Sequence, residues 1–148
     1  MFRGVQTASV DAKYRLKFPA LARKRLDEEY SSSDVFITSL NGKDVKIFPL
    51  KEWETVESRL SEKSDHGKQK NDLLFLANHF GADESLDNQG RILVPGTLRE
   101  GSGMRGEVKM VWQSNHILVL SAERYQEKLA QTTTVDESVV ELAESFGL

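Results

Sequence analysis

The chain has 148 residues, 39% of them hydrophobic and 29% charged, with a net charge of −3. That is globular composition, in a chain long enough to bury its own core without staples, and it excludes a disordered or fibrous protein. The absence of cysteine excludes disulfides, thiolate zinc sites and a cysteine nucleophile.

The N-terminus, Met1-Phe-Arg-Gly-Val-Gln-Thr7, has no apolar h-region, so no signal peptide is expected. No run approaches the roughly 18 apolar residues of a membrane span, and a soluble, cytoplasmic protein is expected. Residues 5–10 and 15–18 alternate around a polar turn and predict a β-hairpin, with Leu16 and Phe18 on one face and Arg15 and Lys17 on the other. Pro19 opens a short helix over residues 20–28. Residues 35–39 and 45–48 flank Asn41-Gly42, a strong hairpin signal. Residues 51–61 predict a helix with Trp53, Val56 and Leu60 on one stripe. Residues 63–71 are expected to be a polar connector and 73–80 a second helix. A hairpin follows over 108–112 and 117–120, then amphipathic helices over 123–130 and 135–146. The last is acidic and carries Val135, Val139, Leu142 and Phe146 as an apolar stripe. That stripe should dock either on its own barrel, which is favoured, or on a neighbouring subunit.

The modest net charge conceals an asymmetry. Residues 1–26 hold Arg3, Lys13, Arg15, Lys17, Arg23, Lys24 and Arg25 against Asp11 alone, a net of +6. Residues 121–148 hold six acidic side chains against Arg124 and Lys128, a net of −4. A local basic face of this kind is the footprint of a phosphate binder.

An internal repeat organises the chain. Ser9-Val-Asp-Ala-Lys-Tyr-Arg-Leu-Lys-Phe-Pro-Ala-Leu-Ala-Arg23 aligns without gaps on Ser85-Leu-Asp-Asn-Gln-Gly-Arg-Ile-Leu-Val-Pro-Gly-Thr-Leu-Arg99, at an offset of 76. Ser9/Ser85, Asp11/Asp87, Arg15/Arg91, Pro19/Pro95 and Arg23/Arg99 are identical. With shifted register, residues 34–37 match 107–110 and 47–53 match 119–125. The expected organisation is a first repeat over 1–53, connecting helices over 54–80, a second repeat over 81–125 and a helical tail over 126–148. Each repeat is too small for a comfortable independent domain, so the two should share one core or pack as intimate halves.

In both repeats an Asp closes the first strand and an Arg opens the second, four residues later. Asp11 and Asp87 are read as turn-structuring residues that accept backbone N–H groups and pair with the returning arginine. Gly90, before Arg91, supplies the positive φ that such a turn often needs. Arg15 and Arg91, repeated at both tips on the solvent side, are poorly explained by packing.

Met1-Phe-Arg-Gly4, the paired Asp11-Ala-Lys-Tyr-Arg15-Leu-Lys-Phe-Pro19 and Asp87-Asn-Gln-Gly-Arg91-Ile-Leu-Val-Pro95, and Ile47-Phe-Pro-Leu-Lys-Glu-Trp53 together resemble the bacterial MraZ family over about residues 1–130. The resemblance implies an α+β, predominantly β fold: two AbrB-like swapped-hairpin barrel halves in one pseudo-dimeric chain with flanking helices. It also implies a homo-oligomeric ring that binds G-rich direct repeats in double-stranded DNA upstream of the division and cell-wall genes, mostly as a repressor. Such proteins are cytoplasmic and nucleoid-associated, and the family's DNA-contacting positions fall on Lys13, Arg15 and Arg91. The chemistry of the residues agrees. Arginine reads guanine in the major groove, a two-stranded ribbon fits that groove, and Lys13 and Lys17, with Arg3, would neutralise phosphates. The chain departs from the family at Tyr14, where the family and the second repeat carry glycine. An altered turn, tolerated strain and a stacking partner for the ring are the alternatives. Gln89 replaces Lys13 in the second repeat, so the two halves should be unequal readers.

Other signals are weaker. Gly101-Ser-Gly-Met-Arg-Gly106 fits a G-x-G-x-x-G pattern, but it follows a helical turn and opens a strand, the reverse of a dinucleotide site. His66, His79 and His116 lack metal-ligand spacing, and Ser64-Asp-His66 has no triad geometry by adjacency alone. Glu52, Glu54 and Glu57 read as a solvated face and Trp53 as a core or interface anchor. No cofactor, metal, small-molecule substrate or catalytic residue is expected, and a small hydrolase finds no assembled constellation. The rival to a DNA-binding regulator is an antitoxin-like protein of the same fold class, whose apolar C-terminal helix would capture another protein.

Overall fold

The computed structural model describes residues 3–62, 67–132 and 136–148. Its elements run β1 (Val5–Val10), β2 (Arg15–Lys17), α1 (Ala20–Tyr30), β3 (Asp34–Thr38), β4 (Val45–Pro49), α2 (Leu50–Ser61) and α3 (Gly67–His79). There follow β5 (Ala82–Ser85), β6 (Arg91–Leu93), a 3-10 turn (Gly96–Leu98), β7 (Gly106–Trp112), β8 (Ile117–Ser121), α4 (Ala122–Thr132) and α5 (Glu137–Ser145). The strands form one antiparallel sheet in the order β5-β3-β4-β8-β7-β1-β2-β6, and its two outer strands are joined by the 86–90 turn. The result is a nearly closed barrel with helices outside it.

The repeat dictates the pairing. In β2–β6, Leu16 lies opposite Ile92, its own counterpart at the offset of 76. In β4–β8, Lys46 lies opposite Leu118, its counterpart at the later offset of 72. An approximate two-fold axis therefore runs through both strand pairs. Between them the hairpins are swapped: β1 of the first repeat pairs with β7 of the second, and β5 of the second with β3 of the first. Neither repeat completes its own sheet, so the two share one core. Leu16, Phe18, Val35, Ile37, Val45, Ile47, Ile92, Val94, Val108, Met110 and Val119 fill the barrel. Side chains alternate along a strand, so the buried Leu16 and Ile92 turn Arg15, Lys17, Arg91 and Leu93 outward.

The outside of the barrel is not symmetric. β3 is buried on both faces because α2 and α3 cover Phe36 and Thr38. Trp53 stacks on Phe36 at 4.5 Å and packs on Phe48 at 5.1 Å, which makes it a core anchor. Thr38 Oγ1 donates to the Ala77 carbonyl at 2.6 Å, so the buried hydroxyl is satisfied. By contrast β7 alternates between buried and accessible residues, as a strand with one wet face does. α4 is held on the other side by Arg124, whose Nε donates to Asp44 at 2.8 Å, with Lys128 3.6 Å from the same carboxylate. Burial pushes the Asp44 carboxyl up, but hydrogen bonds from Arg124 and Asn41 more than offset this and hold it below the usual range.

Two expectations need correction. Residues 67–71 are not a connector but the first turns of α3, with Lys68 paired to Asp72 at 2.8 Å. The expected docking of the C-terminal stripe on the barrel is not observed: Val139, Leu142 and Phe146 are 50%, 59% and 82% exposed. The helix itself forms because Asp136 caps it, accepting the Val139 N–H at 3.2 Å. Val135, together with Ser64, Asp65 and His66, lies outside the described residues.

His116 gives the fold a measurable pH dependence. Burial, then the nearby Lys46 charge, lowers its pKa from 6.5 to about 4, and its ring sits 4.9 Å from that of Phe48. Between those values the unfolded chain binds a proton that the native chain refuses, so stability falls as pH is lowered from about 6.5 to about 4. Thermal melts of wild type and His116→Gln across this window should converge on acidification, because the variant lacks that loss.

Candidate nucleic-acid interface

The two hairpin tips are built alike. Asp11 Oδ1 accepts the Lys13 and Arg15 backbone N–H groups, both at 2.9 Å, and Oδ2 accepts Arg15 Nε at 2.7 Å. Asp87 Oδ1 accepts the Gln89 and Arg91 N–H groups, both at 2.9 Å, and Oδ2 accepts Arg91 Nε at 3.0 Å. The Arg15 and Arg91 backbone N–H groups are the main cause that holds each carboxyl below its ordinary range, with the arginine side chain adding to it. Each Asp therefore shapes its turn and fixes one edge of a guanidinium. Nη1 and Nη2 of both arginines have no hydrogen-bond partner among the described residues, which leaves the pair that can grip a planar acceptor.

Tyr14 and Gly90 occupy the same conformation, with φ of 60° and 75°. Their N–H groups return to the Asp11 and Asp87 carbonyls at 3.0 and 2.9 Å. Their carbonyls accept reciprocally across the two-fold, from Val94 N–H to Tyr14 at 2.9 Å and from Phe18 N–H to Gly90 at 2.8 Å. The first turn is thus not altered: Tyr14 accepts the left-handed backbone, at a cost of about 1–2 kcal/mol that glycine escapes, and its ring has partners. Arg99 and Arg105 place their guanidinium carbons 4.7 and 5.4 Å from the ring centroid, and Arg105 Nη2 donates to Tyr14 Oη at 2.5 Å. At the other tip Gly90 takes this backbone without strain and Arg23 folds over it, so that a Cβ there, 2.4 Å from Arg23 Cδ, would push that flexible side chain aside.

On the outer face of β2–β6, Arg15 stands opposite Leu93 and Lys17 opposite Arg91. Like charges on directly opposed residues, whose Cβ atoms lie about 5 Å apart, are unfavourable, and an external anion relieves this. The side chains of Arg15 and Arg91 are 35% and 22% exposed, each leaning to the Asp at its own end of the short strand pair. Lys13 and Lys17 are exposed beside them. Arg3 is not brought to this surface: it precedes β1, whose six residues carry it roughly 20 Å from the first tip. Arg23 and Arg99 were missed as members of the surface, although their identity in the repeat alignment marked them. Each is laid by one repeat against the tip of the other. Arg105 gave no signal, being one residue of a glycine-rich connector.

Gly101–Gly106 links the 3-10 turn to β7, with Gly103 and Gly106 at φ of 62° and 60°. Among the described residues no three His, Asp or Glu side chains gather as a metal site. Nor is any helix among them long and apolar enough to cross a membrane.

Residues 81–142 match the sequence profile of the family described as "MraZ protein, putative antitoxin-like". A protein of Acidobacterium capsulatum named "Transcriptional regulator MraZ" is 38% identical over 148 residues, covering all of both chains. Proteins of the same name from Koribacter versatilis and Methylobacillus flagellatus are 32% and 33% identical. The first match covers 95% of this chain and 97% of the relative, the second 92% and 91%. Full-length similarity at this level, on a barrel built from two swapped repeats, places the chain in the MraZ family.

Proposed function

We propose that the chain is a sequence-specific, DNA-binding transcriptional regulator whose reading heads are Arg15 and Arg91. The supporting observation is the pair of dyad-related Asp–Arg clamps on the outer face of the antiparallel β2–β6 pair of the barrel. A ribbon of this kind fits the major groove, and a guanidinium held by one edge presents its free edge to guanine O6 and N7. Lys13 and Lys17 supply salt-sensitive phosphate contacts. The acidic helix is α5, with Glu137, Glu141 and Glu144 and no cation, remote in sequence from both tips, so a net negative charge is compatible with a basic face there.

The family resemblance extends this reading. The DNA is the set of direct repeats in the chain's own promoter, the genes are those of division and the cell wall, and the effect is repression. The protein would act at the nucleoid in the cytoplasm. A homo-oligomeric ring would set several weak basic faces against successive repeats and gain affinity by effective concentration. The role needs neither catalysis nor a cofactor. A second reading, a protein-capturing antitoxin-like chain, is favoured by the exposed apolar side chains of α5.

Fluorescence anisotropy with duplex DNA from upstream of the chain's own gene, and with a scrambled duplex of equal composition, separates the two. The expected result is a clear preference for the upstream duplex and affinity that falls steeply between two salt concentrations. Equal, weak binding to both duplexes, with a second protein copurifying in stoichiometric amount, would favour capture of a protein.

A further inference from the structure

The two tips part company at one place. At the second, Arg23 covers a glycine and its Nη2 donates to the Asn88 carbonyl at 3.3 Å. At the first, the counterpart Arg99 lies against the Tyr14 ring while its Nε donates to the Val94 carbonyl at 3.0 Å. Arg105 joins them from the connector before β7 and holds the Tyr14 hydroxyl. Its place in the first repeat is taken by Ser32, so the repeat supplies no second arginine to the second tip at that position.

Neither Arg99 nor Arg105 has a carboxylate within 4.0 Å among the described residues. A π-face attracts a cation but does not neutralise it. Two like charges are therefore gathered on one neutral ring, where their repulsion is relieved by an anion. The Tyr14 backbone is held in a conformation that glycine would adopt without strain, so the ring is retained against a local cost. The carboxylate of this turn, Asp11, is already engaged by the Lys13 and Arg15 backbone N–H groups and by Arg15 Nε.

We propose that Tyr14, Arg99 and Arg105 form a DNA-phosphate clamp on the first hairpin that the second hairpin lacks. This rests on the reading of the surface as DNA-binding and adds to it a polarity: the first hairpin is the anchored end and the second is the lighter contact. The forked N–H groups of the two guanidiniums suit phosphate oxygens, and the Tyr14 hydroxyl fixes where one fork points.

The clamp is tested on the scrambled duplex, where phosphate contacts dominate, with the full-length protein. Arg105→Gln should reduce the slope of log affinity against log salt by about 0.9, the value of one lost phosphate contact. Tyr14→Gly, which gives the first turn the residue of the second, should reduce it by about 0.9 to 1.8. The ratio of affinities for upstream and scrambled DNA should stay unchanged in both. Circular dichroism and oligomer size establish that each variant is folded, and Arg105→Gln reads the loss without touching the turn. A wild-type slope in the folded variants would overturn the clamp, and so would a changed ratio at constant slope, which would make the ring a base contact. Wild-type protein that showed no salt-dependent binding to either duplex would overturn the DNA reading and the clamp together.

Discussion

Replacing Arg15 and Arg91 together by lysine should remove most of the preference for the upstream duplex while leaving the salt dependence of binding at its wild-type slope. The substitution keeps both charges, so the number of counterions displaced from the phosphates is unchanged. What it removes is the planar fork. Lysine presents a compact ammonium on a flexible stem, and an ammonium that pairs with Asp11 or Asp87 has no second, rigidly aimed donor pair left for a base. Each bidentate arginine–guanine contact discriminates by about 1–3 kcal/mol, or roughly 5- to 150-fold. Alanine at both positions should lose the same preference and, in addition, lower the slope. Anisotropy titrations of the three proteins at several salt concentrations separate these effects, with light scattering to show that the oligomer is unchanged. A lysine variant that kept its preference would place base reading elsewhere and return the two arginines to the status of turn residues.

The site was legible because its logic is local. A carboxylate four residues before an arginine, across a turn, can only cap that turn and orient that side chain, and the repeat shows the device twice. Asp11, Arg15, Asp87 and Arg91 stand as that pattern predicts. The repeat also carried long-range information: the constant offset of 76 is the pairing of Leu16 with Ile92. The exchange of β1 and β5 between halves was implied by the family resemblance and not by periodicity, because strand pairing at long separation leaves no periodic mark on either strand.

The remaining differences have similar causes. Residues 67–71, Gly-Lys-Gln-Lys-Asn, have no apolar period, yet they extend α3 because the helix is anchored downstream by Ala77 beneath Trp53 and Phe36. Tyr14 was recognisable as an anomaly but not as the centre of a cluster. Arg99 and Arg105 reach it from 85 and 91 residues away. Arg3 was grouped with the basic face on charge alone, and the direction of β1 carries it to the other end of the barrel.

Leu16→Ala is expected to destabilise the chain by about 2–5 kcal/mol, the usual range for truncating a fully buried leucine. Against a total stability of roughly 5–15 kcal/mol that is a large fraction, and a thermal melt should fall by roughly 4–20 °C. The position is sensitive for a topological reason. β2 has three residues, and Leu16 alone points inward, meeting Ile92 on the two-fold axis where the barrel closes between the repeats. Its neighbours Arg15 and Lys17 are aimed outward by the same alternation, so a void beneath Leu16 loosens the platform that carries both heads. The variant should bind upstream DNA with reduced preference at temperatures well below its melt, while Ile92→Val, which costs about 0.5–1.5 kcal/mol, should retain it. If Leu16→Ala is folded and keeps the full preference, the Asp–Arg clamps alone suffice to aim the arginines. If the preference falls with stability, the swapped core is part of the reading device.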